Sequence, residues 1–275
     1  MDFQETDRQI VKEFVVAPEH LSGWRLAVGA LREKPGLEDR TLYLANFFYE
    51  AADKLGEHEN AFHFLLEQSL VWQHVFMEER DKFEGSDEER MLSALEKMEE
   101  TVMKAEEYRV AHNLEDLRGD SLRFLGKVAS SEGEDEKALA FYQESKKLLL
   151  AMPSEEPKRI RWIEVQGFEA EALIMTGRPK EGLTLARRTW VIYPMHEFDL
   201  YTHKVWQSGV GISTVRALVE TGNIELLGRQ GAEKWLDEAQ SLLVIPEDME
   251  TWGDRNFTIR RREIRKLKEE LSKLE

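Results

Sequence analysis

Apolar residues recur at three- and four-residue spacing along almost the whole chain, and no stretch keeps a strict apolar–polar alternation. That is the signature of amphipathic α-helices. The pattern predicts about twelve of them. The first two lie near 6–16 and 19–33, the second broken by Pro35-Gly36. The third runs near 39–55 with Leu42, Ala45, Phe48, Ala52 and Leu55 on one face, and the fourth near 60–80. After the Gly85-Ser86-Asp87 loop, Ser86 with Glu89 predicts a capping box for a long, highly charged fifth helix near 87–111. Two further pairs follow, near 115–131 with 135–151 and near 158–176 with 179–193, separated by the proline-bearing linker 152–157. Pro179 suits the first turn of its helix. A helix near 198–221 precedes the insertion 223–231, then helices near 232–243 and 255–274.

The turns inside these pairs share a residue. Gly133, Gly177 and Gly222 are spaced by 44 and 45 residues, and an earlier copy, Gly56, precedes Gly133 by 77. Glycine after a helix end fits the left-handed backbone position where a Cβ would clash. Helix, glycine turn, helix, repeated, is the mark of a helical solenoid.

Residues 119–151 carry the best-kept packing pattern. Leu122, Leu125-Gly126 and Ala129 occupy the first helix, and Ala138 with Tyr142 the second. This resembles the tetratricopeptide repeat (TPR), whose first helix carries Trp, Leu-Gly and Tyr and whose second carries Ala followed four residues later by Phe. Weaker copies extend the likeness over 39–80 and 115–246. Ala61 and Leu65 keep the second-helix pair, but Tyr49 fills the glycine slot. Ala170 takes that slot in the next unit, where Gly182 and Ala186 loosen the second-helix pattern. Ala232, Leu236, Ala239 and Pro246 form the last copy behind a lengthened turn. The usual period is 34 residues, so the hairpins here are longer.

The resemblance implies an all-α, right-handed α-solenoid of antiparallel TPR-like hairpins. It implies a single array over 1–275, with N-terminal helices at 1–38, repeat hairpins at 39–246 and a C-terminal capping helix at 247–275. It also implies a peptide-binding groove lined by the first helix of each pair. The positions carried over are Tyr43, Asn46 and Glu50, then Arg123 and Lys127, then Glu171. Arg123 and Lys127 are four apart on one helix face, able to hold a carboxylate or phosphate or to stand as solvated charges. The Lys, Asn and Arg set of the family's carboxylate clamp cannot be assembled, so recognition of a chain terminus is not expected.

Composition removes several function classes. The chain has no cysteine, which excludes disulfides, thiol catalysis and thiolate zinc sites. No apolar run reaches the roughly 18–20 residues of a membrane span, and the charged N-terminus lacks a signal-peptide core. A cytoplasmic protein with no membrane or nucleic-acid partner is therefore expected. The net charge of −16 opposes phosphate binding. Residues 254–275 hold eight Lys/Arg and five Asp/Glu, a net +3, so the first 253 residues carry −19 (−16 minus +3). An acidic body suits a basic protein or peptide partner, or its own basic tail. Ile259, Ile264, Leu267, Leu271 and Leu274 give that tail an apolar stripe fit to cover the last open face of an array.

No catalytic constellation stands out. His58 and His63 flank Glu59, but five residues on a helix turn them about 140° apart, poor for sharing a metal. There is no HExxH and no Gly-rich phosphate loop, and GVGIS (209–213) lies inside a helical apolar run. Most of the seven tryptophans read as packing residues, with one or two available as groove anchors. The expectation is a non-catalytic interaction scaffold without cofactor or metal. The alternative is a peptide-sensing regulator of the same repeat class. Oligomeric state is open.

Overall fold

The computed structural model describes residues 16–196, 200–248 and 253–274. Among the described residues there are eleven α-helices and no strand. They are α1 (Leu21–Arg32), α2 (Glu38–Lys54), α3 (His58–Arg80), α4 (Glu88–Ala111), α5 (Arg118–Ser131) and α6 (Asp135–Ala151). Then come α7 (Trp162–Met175), α8 (Pro179–Ile192), α9 (Leu200–Glu220), α10 (Arg229–Leu242) and α11 (Thr258–Lys273). The helix expected near 6–16 falls outside the described residues. Short 3-10 turns at Glu115–Leu117 and Pro157–Arg161 lead into α5 and α7, so both α-helices begin later than their periodicity suggests.

Two compact units divide the chain. One holds α1–α4, with residues up to 80, 87–117 and 251–254; the other holds 81–86, 118–250 and 255–275, and with them α5–α11. In the first unit α3 is the central helix, packed by α1, α2 and α4. It buries Ala61, Phe62, Phe64, Leu65, Leu66, Val71 and Val75, on several sides at once, because it has neighbours on several sides. Trp24 stacks on Phe48 at 5.1 Å, one of the tryptophans that serve packing. In the second unit α5/α6, α7/α8 and α9/α10 pair as hairpins and each first helix touches the preceding or following pair. Trp190 and Trp235 lie 6.0 Å apart there, and Trp190 closes on Gly211 of the GVGIS run. Trp252 lies outside the described residues.

Gly56, Gly133, Gly177 and Gly222 all take a left-handed backbone, with φ between 67° and 79°. Each closes the same pair of hydrogen bonds. Around Gly133, Glu134 N donates to Ala129 O and Gly133 N to Ser130 O, and the other three turns repeat this. That is the Schellman closure, which satisfies carbonyls the ended helix leaves open. A fifth copy lacks glycine: at the end of α4, Asn113 stands at φ 54°, Leu114 N donates to Arg109 O and Asn113 N to Val110 O. Asparagine is the residue after glycine that best tolerates this region.

Inside the hairpins the small residues set the approach of backbones. A Cβ on Gly126 would stand 2.4 Å from a ring carbon of Tyr142. In the next hairpin the glycine has moved to the other helix: a Cβ on Gly182 would stand 2.5 Å from the Ala170 carbonyl oxygen. Ala61, Ala138 and Ala232 are fully buried at the corresponding second-helix position, and Leu65, Tyr142, Ala186 and Leu236 are buried four residues on. Tyr49, in the glycine slot of α2, instead stands edge-on to Tyr108 of α4 at 5.8 Å.

The helix α11 packs on α9 and α10 through Ile259, Ile264, Leu267 and Leu271, all buried, while Leu274 at the stripe's end is exposed. Several of its basic groups are engaged within the unit. Lys268 Nζ donates to Asp237 Oδ1 at 2.6 Å, and Arg261 reaches the Leu243 carbonyl. The predicted cap of α4 shifts by one residue. Asp87, not Ser86, is the N-cap and accepts from Arg90 N at 2.9 Å. The fully buried Glu79 carboxylate then accepts from Asp87 N and from Arg90 Nη1, in the place Glu89 was expected to fill.

Candidate functional site

The charged side chains of α5 and α7 gather in the second unit. Arg123 and Lys127 share one face of α5, and Glu164 reaches them from the first turn of α7. Arg123 Nη1 makes a short ion pair with Glu164 Oε2, and Lys127 Nζ lies 3.5 Å from Glu164 Oε1. Behind them the fully buried Asp120 sits 3.3 Å from Arg123 Nη2 and pairs through its other oxygen with Arg161. Lys127 Nζ also stands 4.7 Å from the Phe168 ring and 5.2 Å from that of Phe124. Three cations and two carboxylates therefore form one connected group that joins hairpin α5/α6 to hairpin α7/α8.

Position along α7 explains the gathering. Glu164, Phe168 and Glu171 follow at four and three residues, one stripe of the helix, while the opposite side of α7 packs on α8 and α9. Gly167 permits that second contact, since a Cβ there would stand 2.9 Å from a Val210 methyl. Phe168 lies 5.4 Å from Tyr142, so the α6 ring that fills the space beside Gly126 also meets the next hairpin.

The electrostatics follow from burial. Burial pushes the Glu164 carboxyl up, and the charges of Arg123, Lys127 and Arg161 outweigh it and hold the group below the usual carboxylate range. Tyr142 is pushed well above the ordinary phenol value, first by burial and then by the negative charges of Glu171 and Glu164. Both groups stay in one protonation state near neutral pH, which suits a fixed recognition or packing element more than proton transfer.

In the first unit the α2 positions have a different character. Tyr43 is half-buried, and Asn46 and Glu50 are exposed one turn apart, with Asn46 Nδ2 donating to Glu50 Oε1 at 3.0 Å. Glu171 in the second unit is half-buried. The structure thus brings Asn46 to Glu50 and Arg123 to Lys127, the two sets lying in different units. Arg123 and Lys127 are both 8% exposed, and the carboxylate they hold is the chain's own. The sequence pattern alone does not single out Asp120, Arg161 or Glu164. Their partners sit 41 residues away across the hairpin repeat, a distance close to the 44-residue glycine spacing, which is the signal that could have paired them.

His63 is buried beside Glu59, its Nε2 3.9 Å from Glu59 Oε1. His58 turns instead toward Tyr108, with Nδ1 2.7 Å from the phenol oxygen. Among the described residues no helix is long and apolar enough to cross a membrane.

No protein-family model matches the chain, and no curated protein matches it. Solved structures do. One, labelled a kinesin light chain with nearly identical TPR-like repeats from Podosopora anserina, is 15% identical with a TM-score of 0.46, over 83% of this chain and 97% of that one. A variant of the same protein gives 14% identity and a TM-score of 0.47 over the same shares. On the packing of its own residues, the chain is, over the described residues, an all-α protein of helix hairpins joined by left-handed turns.

Proposed function

We propose that the chain is a non-catalytic protein-interaction scaffold that takes a peptide or protein segment along the first helices of its hairpins. The observation that supports this reading is that the first helices of the hairpins keep polar groups outside the packing, Asn46 and Glu50 exposed on α2 and Glu171 half-buried on α7. Within this reading the two sets of side chains differ in task. Tyr43, Asn46 and Glu50 on α2 are the ligand-touching groups of the first unit, and Glu171 on α7 is that of the second, each unit taken by itself. Arg123 and Lys127 position α7 through Glu164 and so fix where Glu171 stands. The ligand-touching acids, with a net charge of −16 behind them, favour a basic segment through complementarity and faster encounter.

The test is selection of binding peptides from a random library displayed on phage, using the whole chain as target. The reading expects enrichment of Lys/Arg-bearing peptides. It expects those peptides to lose about tenfold or more in affinity, or about 1.4 kcal/mol, against Glu50→Lys or Glu171→Lys. Gln143→Lys, an exposed position on the second helix α6, should bind as the native chain does. Unchanged affinity in both first-helix variants sinks the assignment.

A further inference from the structure

Three helix ends meet in the first unit. Asp53 lies in the last turn of α2, His58 opens α3, and His112 caps the end of α4. Each offers one donor atom, and the three donor atoms lie within 4.8 Å of one another. We propose that Asp53, His58 and His112 form a binding site for a borderline first-row divalent ion of the Zn²⁺ class, the ion being held by one carboxylate and two imidazoles with a position left open to solvent.

The donor set selects the class. Two imidazole nitrogens and one carboxylate oxygen suit Zn²⁺, Co²⁺, Ni²⁺ or Cu²⁺, whereas Mg²⁺ and Ca²⁺ ask for oxygen ligands throughout. An ion bonded at about 2.0–2.2 Å to each donor needs them drawn together from their present spacing by a modest turn of a side chain. His112, whose ring lies against both His58 and Tyr108, is the one whose ring no hydrogen bond holds among the described residues. Its ring is half-buried and stacks on His58 at 3.9 Å between centroids.

The other two donors are already held together. The Tyr108 hydroxyl donates to Asp53 Oδ1 at 2.6 Å and its oxygen lies 2.7 Å from His58 Nδ1; in the tautomer with the proton on Nδ1, His58 donates to that oxygen and keeps Nε2 for the ion. Outer partners of this kind orient metal ligands before the ion arrives. The backbone is pinned as well. The Schellman turns at Gly56 and Asn113 fix the ends of α2 and α4, hence the directions of Asp53, His58 and His112.

The field favours a cation. The negative ends of the α2 and α4 dipoles and the Asp53 carboxylate face this corner, against the positive end of α3 alone. Partial exposure of Asp53 and His58, at 43% and 35% of their side chains, gives an ion a way in and leaves room for water as a further ligand. The site is independent of the proposed peptide face, since none of its three donors was assigned to that face.

Calorimetric titration of the untagged full chain with ZnCl₂, in a buffer that does not bind metal, tests the proposal. The expected result is one Zn²⁺ per chain. Affinity should fall about tenfold or more in both His112→Ala and Asp53→Asn, with His20→Ala, an exposed histidine elsewhere, binding as the native chain does. Co²⁺ loading should give visible d–d bands that His112→Ala loses. Circular dichroism of each variant without metal checks that it is folded, and using two variants guards against one that is not. Absence of saturable Zn²⁺ binding overturns the proposal, and so does native-like affinity in both folded variants.

Discussion

Gly126 of α5 and Tyr142 of α6 share a space that holds one ring and no added methyl, with 2.4 Å between a hypothetical Cβ at 126 and the Tyr142 ring. Gly126→Ala must displace the ring, which also packs on Phe168 at 5.4 Å. We expect a loss of about 1–3 kcal/mol in urea unfolding, the usual size of overpacking. Replacing the ring should relieve the clash, so Gly126→Ala with Tyr142→Leu loses less than the two single changes added.

The Asn113 turn gives a second prediction. At φ 54° a Cβ-bearing residue without asparagine's local hydrogen bonding costs roughly 1–2 kcal/mol, so Asn113→Ala should lower stability by about that much. Asn113→Gly should be neutral or stabilising, and Gly133→Ala, at φ 76° with open space around it, should cost about what Asn113→Ala costs. The three melting curves together check whether the five turns are one device.

Most helix ends were legible to within one or two residues, because the apolar spacing and the glycine turns are local signals, whereas the starts of α5, α7, α10 and α11 lie three or four residues from the expected positions. The Asn113 turn was not, since asparagine occurs in many other settings. Gly182 was read as a defect in the repeat pattern, whereas the close approach is kept with the glycine moved across the hairpin to face Ala170. One sequence shows which residue is small and not which helix it faces. In the sequence the α5 pair Arg123 and Lys127 reads either as a carboxylate or phosphate holder or as solvated charge; both are buried, and the carboxylate beside them is Glu164, supplied by the next hairpin. His58 was weighed against His63, its neighbour in sequence, although the ring it stacks on is His112, brought near by the fold of α4 onto α3.

The Arg123–Glu164–Lys127 group predicts a pH effect. The Glu164 carboxyl is held below its ordinary value, so its contribution is fully present above about pH 4.3 and is lost as pH falls through the lowered value. Glu164→Gln leaves two cations with one buried partner fewer and should cost about 3 kcal/mol at pH 7. The gap between native and Glu164→Gln stabilities should narrow as pH is lowered below about 4, because the protonated native side chain then resembles the amide. Equal gaps at pH 7 and in acid would show that the ion pair is not the source.

The central claim is that the first helices hold the ligand. Hydrogen-exchange mass spectrometry of the whole chain, with and without a peptide selected by display, tests it most directly. Slowed exchange on peptide binding should fall on α2, or on α5 and α7, and leave the second helices α3, α6, α8 and α10 unchanged. Slowing confined to those second helices would contradict the account.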